Sequence, residues 1–112
     1  MGALTAVRGS RGGTTVTAGA VSSSDTISVA ELGRLGAELI IVNGGGSSDT
    51  VAISDAGKTP SGGAGASGGG AVANGTAKAF FVSREQADPD TGLVTVTHSF
   101  TTSVTYWLVP KG

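Results

Sequence analysis

The chain has 112 residues, enough for one domain with a modest core, and 7 basic and 8 acidic side chains give it a net charge of -1. Only 13% of residues are charged, against a usual share of about 25%, which argues against a basic nucleic-acid face or a partner held by strong electrostatics. There is no cysteine, so disulfides, thiolate nucleophiles and cysteine metal sites are excluded, and stability must come from the core or from association.

Residues 1–13 end in Arg8-Gly-Ser-Arg-Gly-Gly13 and read as a flexible N-terminal arm, ahead of a single β domain over 14–112. The start, Met1 to Arg8, lacks the charged opening and sustained apolar stretch of a secretory leader. The longest apolar block, Leu39 to Val42, is far too short to span a membrane. Thr14 to Val21 alternates loosely, as an edge strand does, and Ser22 to Asp25 form a turn. Ile27 and Val29 alternate like a strand, whereas Val29, Leu32 and Leu35 have helical spacing with Gly36 as a stop. A short strand followed by one helical turn satisfies both.

Glu38 to Asn43 is the strongest buried strand. Gly44 to Ser48 reads as a turn and Asp49 to Ser54 as its partner, with Val51 and Ile53 on one face; together they predict a first hairpin. Lys58 to Gly75 is a Gly/Ala/Ser-rich stretch with too little apolar surface to offset its ordering entropy; it predicts a surface loop that orders only against a neighbour. Thr76 to Val82 predicts a strand, Ser83 to Ala87 one helical turn, and Asp88-Pro-Asp-Thr-Gly92 a tight turn. The chain closes on Leu93 to Ser99 and Ser103 to Val109, two alternating runs around a short polar turn, which predict a second hairpin. Six to eight short strands without βαβ alternation point to an all-β fold, a small antiparallel sandwich or barrel.

The chemistry-bearing residues are sparse. His98 is the only histidine and lies in phase with Val94 and Val96; as a general base it lacks an evident acid partner, and it reads as a strand-end histidine at the sheet rim. Asp88 and Asp90 fit turn chemistry, and neither they nor Asp49 and Asp55 form a calcium loop. Gly44-Gly-Gly and Gly68-Gly-Gly lack the Gly-Lys-Ser/Thr ending of a phosphate loop. No catalytic residue, metal ligand or cofactor site is expected, and the chain is not expected to be an enzyme. In the last strand Val104, Tyr106 and Leu108 share one face, leaving Trp107 for a second layer or a partner, while Phe100 falls in the turn. Large aromatics so placed are enriched among interface anchors, so Phe100 and Trp107, with Arg8 and Arg11 of the arm, are the candidate contact residues.

Four segments together resemble the small virion proteins of tailed bacteriophages, especially those infecting actinobacteria. They are Ser24-Asp-Thr-Ile27; Leu39 to Ile53 with its glycine turn; the aromatic pair Phe80-Phe81; and Asp88 to Tyr106. The resemblance implies a capsid decoration (cement) protein on the outer capsid surface, made in the host cytoplasm. It further implies a homotrimer bound between major capsid protein subunits, without nucleic-acid or membrane partners. The alternatives are a phage fibre or carbohydrate-binding module that stacks sugar on Trp107, Tyr106 or Phe100, and a head–tail or tail-tube subunit.

Overall fold

Alternation builds the architecture: along each long strand one set of side chains goes inward and the other outward. A computed structural model describes residues 2–8, 10–14, 18–55 and 68–111. Within these, 51% of the chain is strand and the helical part is confined to two single 3-10 turns, Val29–Glu31 and Arg84–Gln86.

Sheet 1 contains β1 (Gly2–Ala3), β3 (Ser24–Ser28), β5 (Asp49–Ile53), β6 (Gly68–Val72) and β8 (Leu93–His98), in the order β1-β3-β8-β5-β6. Sheet 2 contains β2 (Gly19–Ala20), β4 (Ala37–Asn43), β7 (Thr76–Val82) and β9 (Val104–Pro110), in the order β2-β9-β4-β7. All neighbours are antiparallel except β1 and β3, where Gly2 pairs with Asp25 and Ala3 with Thr26 in parallel. The two sheets pack as a β-sandwich. Its core sets Ile27, Val51, Ile53, Val72, Val94 and Val96 of sheet 1 against Leu39, Ile41, Val82, Val104 and Leu108 of sheet 2, all at most 2% exposed. Each such side chain contributes about 1.5–3 kcal/mol of burial.

β4, β5, β7, β8 and β9 lie where the sequence places strands, but the turn expected at Ser22 to Asp25 is already strand from Ser24, the edge strand expected over Thr14 to Val21 is strand only at Gly19–Ala20 among the described residues, and both expected hairpins are corrected. β4 and β5 sit in different sheets, and so do β8 and β9. The loops 44–48 and 99–103 are therefore arches that carry the chain across the sandwich. Period-two alternation gives a strand an inward face without naming the sheet it joins, and a hairpin and an arch share that pattern. Real pairing is long-range: β4 lies between β7 and β9, and β8 between β3 and β5. Ser103 marks the second crossing with a φ of 57°, the one non-glycine residue in the left-handed region among the described residues.

The flexible-arm expectation is corrected for residues 2–7. Leu4 is 3% exposed and its amide donates to the Thr26 carbonyl at 2.8 Å. The Thr5 amide donates to Tyr106 Oη at 3.0 Å and the Val7 amide to the Leu108 carbonyl at 2.8 Å. One leucine and a run of backbone donors are enough to dock a segment whose average composition reads as linker. The glycine-rich stretch is corrected in part. Gly68–Val72 is β6, paired along β5 from Asp49–Val72 to Ile53–Gly68, while 58–67 lies outside the described residues.

The docked N-terminus gives a direct test. Leu4→Ala should lose about 2–4 kcal/mol, lowering the thermal midpoint by roughly ten degrees. A free arm would leave the melt unchanged.

Candidate functional site

Four strands carry an inward-facing polar residue at or next to an end: Asp25 second in β3, Asn43 last in β4, Asp49 first in β5 and His98 last in β8, all buried. Asp25 accepts from the Gly2 amide at 3.1 Å, the Ser22 amide at 2.9 Å and the Ser22 hydroxyl, and so ties the N-terminus to β3. Asn43 sets the first arch: Oδ1 accepts from the Gly45 amide, while Nδ2 donates to the Ser47 and Val72 carbonyls.

Asp49 sets the second arch. Its Oδ1 accepts from the Ser99 and Phe100 amides at 3.1 and 3.2 Å, and its Oδ2 lies 2.6 Å from His98 Nδ1. Both side chains are wholly inaccessible. A carboxylate only accepts, so the contact requires the proton on Nδ1. His98 Nε2 is then the one buried side-chain polar atom without a partner among the described residues. The rim position expected of His98 is corrected: the ring is enclosed and no substrate can reach Nε2. This Asp–His pair fastens two arches together.

The arches also touch directly. Gly44 donates to the Ser103 carbonyl at 2.9 Å. A Cβ at position 45 would collide with the Thr102 carbonyl and the Phe100 ring, so only glycine permits this approach. Phe100 is accordingly half-buried against the core and closes this end of the sandwich.

The outer faces of the two sheets differ in kind. Sheet 1 presents Ser24, Thr26, Ser28, Thr50, Thr95 and Thr97, with Leu93, Ala52 and Ala71 between them. Sheet 2 presents three rows across β7, β4 and β9: Phe81–Glu38–Val109, Ala79–Ile40–Trp107 and Ala77–Val42–Thr105. Thr105 is the sole hydroxyl and Glu38 the sole charge among those nine. Phe81 is 53% and Val109 40% exposed, and Leu35 at the same end is 69% exposed. Leu35 belongs to this end because its amide donates to the Lys111 carbonyl and because a Cβ on neighbouring Gly36 would press on the Phe81 ring. Lys111 Nζ lies 3.1 Å from Glu38 Oε1 and 5.9 Å from the centre of the Phe81 ring, within cation–π range.

The four candidate contact residues do not form one site. Trp107 stands on the outer face of sheet 2, half-buried, opposite the buried Val104, Tyr106 and Leu108. Phe100 belongs to the arches. Arg8 donates from Nη2 to the Ala30 carbonyl at 3.2 Å, and Arg11 is exposed in the turn closed by Gly13 donating to Ser10. Phe81 is the surface aromatic the sequence reading left out; its signal was a strand ending in two adjacent aromatics, of which alternation can bury only one.

An open surface pocket of about 490 Å³ lies beside the 3-10 turns, lined by Val29, Arg84, Asp88, Pro89 and Gly92 among others. The Arg84 guanidinium is engaged by the Val29 and Leu32 carbonyls, so it is not left pointing at a ligand. No group of three or more His, Cys, Asp or Glu residues converges among the described residues. No family model, curated protein or solved structure matches this chain.

Asp49 provides the second test. Asp49→Ala should cost about 3–5 kcal/mol, because it strands a buried imidazole and two amides together. Asp49→Asn, which keeps an acceptor for the amides, should cost less. Equal midpoints for both variants in urea unfolding would remove Asp49 from the role described.

Proposed function

We propose that this protein is a non-catalytic structural subunit that works by packing against neighbours in a larger assembly, as a capsid decoration protein on the outer surface of a phage head. One observation carries the reading: the sandwich has a hydroxyl-covered face and an apolar one, and the apolar face keeps Phe81, Val109 and Leu35 in solvent. A contiguous apolar surface is a cost to a monomer and the common mark of a contact site. The low share of charged residues fits, since interface cores are depleted of charge. The sealing of the only histidine against Asp49 speaks for contact rather than chemistry.

The sequence resemblance supplies the kind of assembly, with the major capsid protein as partner. Many weak contacts repeated over a shell hold a subunit without a strong individual site. The rival reading, a carbohydrate module stacking sugar on Trp107, Tyr106 or Phe100, has less in its favour, since Tyr106 is buried and Phe100 packs against the core. The charged groups on the outer face that carries Trp107, Glu38 and Lys111, already satisfy one another.

Co-sedimentation with expanded capsids lacking their decoration layer tests the reading. The parent chain should bind, and Trp107→Ala combined with Phe81→Ser should lower occupancy by roughly tenfold or more. Both side chains face outward, so the isolated fold should lose only about 1 kcal/mol. Undiminished occupancy, or an equal collapse of the fold, would overturn the proposal.

A further inference from the structure

The structure assigns a self-modification site to Asn74, whose exposed carboxamide closes on the backbone nitrogen of Gly75 and leaves an aspartyl or isoaspartyl residue. The site stands apart from the outer face of sheet 2 and from any role of that face.

The sequence contains two asparagines, Asn43 and Asn74, and each precedes a glycine. That pairing sets the chemistry. Glycine has no Cβ to shield its nitrogen or to restrict the backbone, so the preceding side chain can reach that nitrogen and close a five-membered ring. Base removes the Gly75 amide proton, the nitrogen attacks Asn74 Cγ, and the bond from Cγ to the side-chain nitrogen breaks. That nitrogen takes up a proton from water and leaves as ammonia. A water molecule then opens the succinimide. Cleavage between the ring nitrogen and Cγ gives aspartate in an unaltered backbone. Cleavage on the other side gives isoaspartate, with the backbone routed through Cγ. The net change is water in and ammonia out, with nothing oxidised or reduced.

Packing separates the two sites. Asn43 is 1% exposed. Its Nδ2 donates to the Ser47 and Val72 carbonyls, its Oδ1 accepts from the Gly45 amide, and the nitrogen it would need, that of Gly44, donates to the Ser103 carbonyl. Four hydrogen bonds must open before that ring can close. Asn74 is exposed in the turn that carries the chain from β6 in sheet 1 to β7 in sheet 2. No hydrogen bond holds its carboxamide among the described residues. Gly75 has a φ of 76°, and a Cβ there would meet nothing within 4 Å. One bond restrains the reaction: the Gly75 amide donates to the Asn43 carbonyl at 2.8 Å. Each hydrogen bond that must open lowers the reactive population by roughly fivefold. The additional bonds at Asn43 therefore make it slower than Asn74 on the order of a hundredfold.

The restraining bond also fixes what the modification does. Asn43 sets the first arch, and the turn at Asn74 is tied to its carbonyl. That turn is closed by the Thr76 amide donating to the Ala73 carbonyl at 3.1 Å. Isoaspartate inserts an extra backbone carbon into it and displaces the Gly75 amide from Asn43, whereas aspartate keeps the backbone length.

Incubation of the full chain in mildly alkaline buffer, followed by peptide mapping, is the test. Trypsin cuts after Arg34, Lys58 and Lys78, so the two asparagines fall in separate peptides. Mass spectrometry detects the exchange of an amino group for a hydroxyl, and chromatography separates aspartyl from isoaspartyl peptides. In the folded chain Asn74 should convert about a hundredfold faster than Asn43. In urea strong enough to unfold the chain the two rates should converge. Asn74→Gln, which would have to close a larger ring, should melt as the parent does and show no comparable conversion. Protein enriched in isoaspartate should unfold at a lower urea concentration than Asn74→Asp. An Asn74 that stays intact in the folded chain while converting in urea, or an Asn43 that keeps pace with it in the folded chain, would overturn the assignment. Equal urea midpoints for the isoaspartyl protein and Asn74→Asp would overturn the effect on the arch.

Discussion

One buried carboxylate holds the ends of the two halves together. Asp49 begins β5 in sheet 1, yet its oxygens fix the backbone at Ser99 and Phe100 and the imidazole of His98, where the chain leaves sheet 1 for β9 in sheet 2. A sandwich joined by arches has no local hairpin bonds to register its crossings. The crossing must be fixed by side chains, and side chains buried at a sheet end must satisfy each other. Asn43 does the same for the other arch, and the Gly44–Ser103 hydrogen bond makes the two arches one structure. The cost is the unpartnered Nε2 of His98, which becomes tolerable because removing either partner of the pair strands more polar atoms than it leaves now.

Much of this could be read from the sequence, and the failures share a cause. The positions of β4, β5, β7, β8 and β9, the 3-10 turns and the inward set Val104, Tyr106 and Leu108 follow from local alternation and turn residues. Pairing does not, because alternation fixes which way a side chain points and not which strand lies alongside. Hence two arches passed for hairpins. The buried polar residues did leave a trace: Asp25 is in phase with Ile27, Asn43 with Leu39 and Ile41, Asp49 with Val51 and Ile53, and His98 with Val94 and Val96. A polar residue at the inward phase of a strand end predicts burial with a partner, whereas a rim position explains only one residue at a time. That Asp49 and His98 partner each other, 49 positions apart, required three-dimensional pairing. The N-terminal segment misled differently. Its glycine and arginine content describes 1–13 on average, but docking depended on the single side chain of Leu4 and on amides that composition does not count.

The outer face of sheet 2 was half legible for a related reason. Phase placed Trp107 outside the core, since its neighbours in the strand alternate inward. It could not show that Ile40 and Ala79 share a row with Trp107, with Val42 and Phe81 in the rows on either side, because those rows exist only once β4 sits between β7 and β9. Phe100 reads as a loop aromatic available for binding until Gly45 is seen to make room for the other arch against it. Arg8 likewise finds a carbonyl of its own chain.

A sandwich that exposes an apolar face must control how copies meet, because open sheet edges invite unlimited pairing. Here the edges are blunted by different means. β1 and β2 are two residues each. β6 opens with Gly68-Gly69-Gly70 and has Gly69 at a φ of +119°, outside strand geometry. β7 is the long edge, and it carries Lys78 at an inward-phase position opposite Ile41; a strand added there would have to bury or deflect that ammonium. Edge growth is thus discouraged on all four sides, while the broad face of sheet 2 has no comparable guard. Association through an edge can continue indefinitely, whereas association through a face ends when the face is covered. The distribution of lysine, glycine and apolar side chains therefore guards the described edges of the sandwich, so that any addition of strands there must overcome short strands, glycine backbone or a buried ammonium.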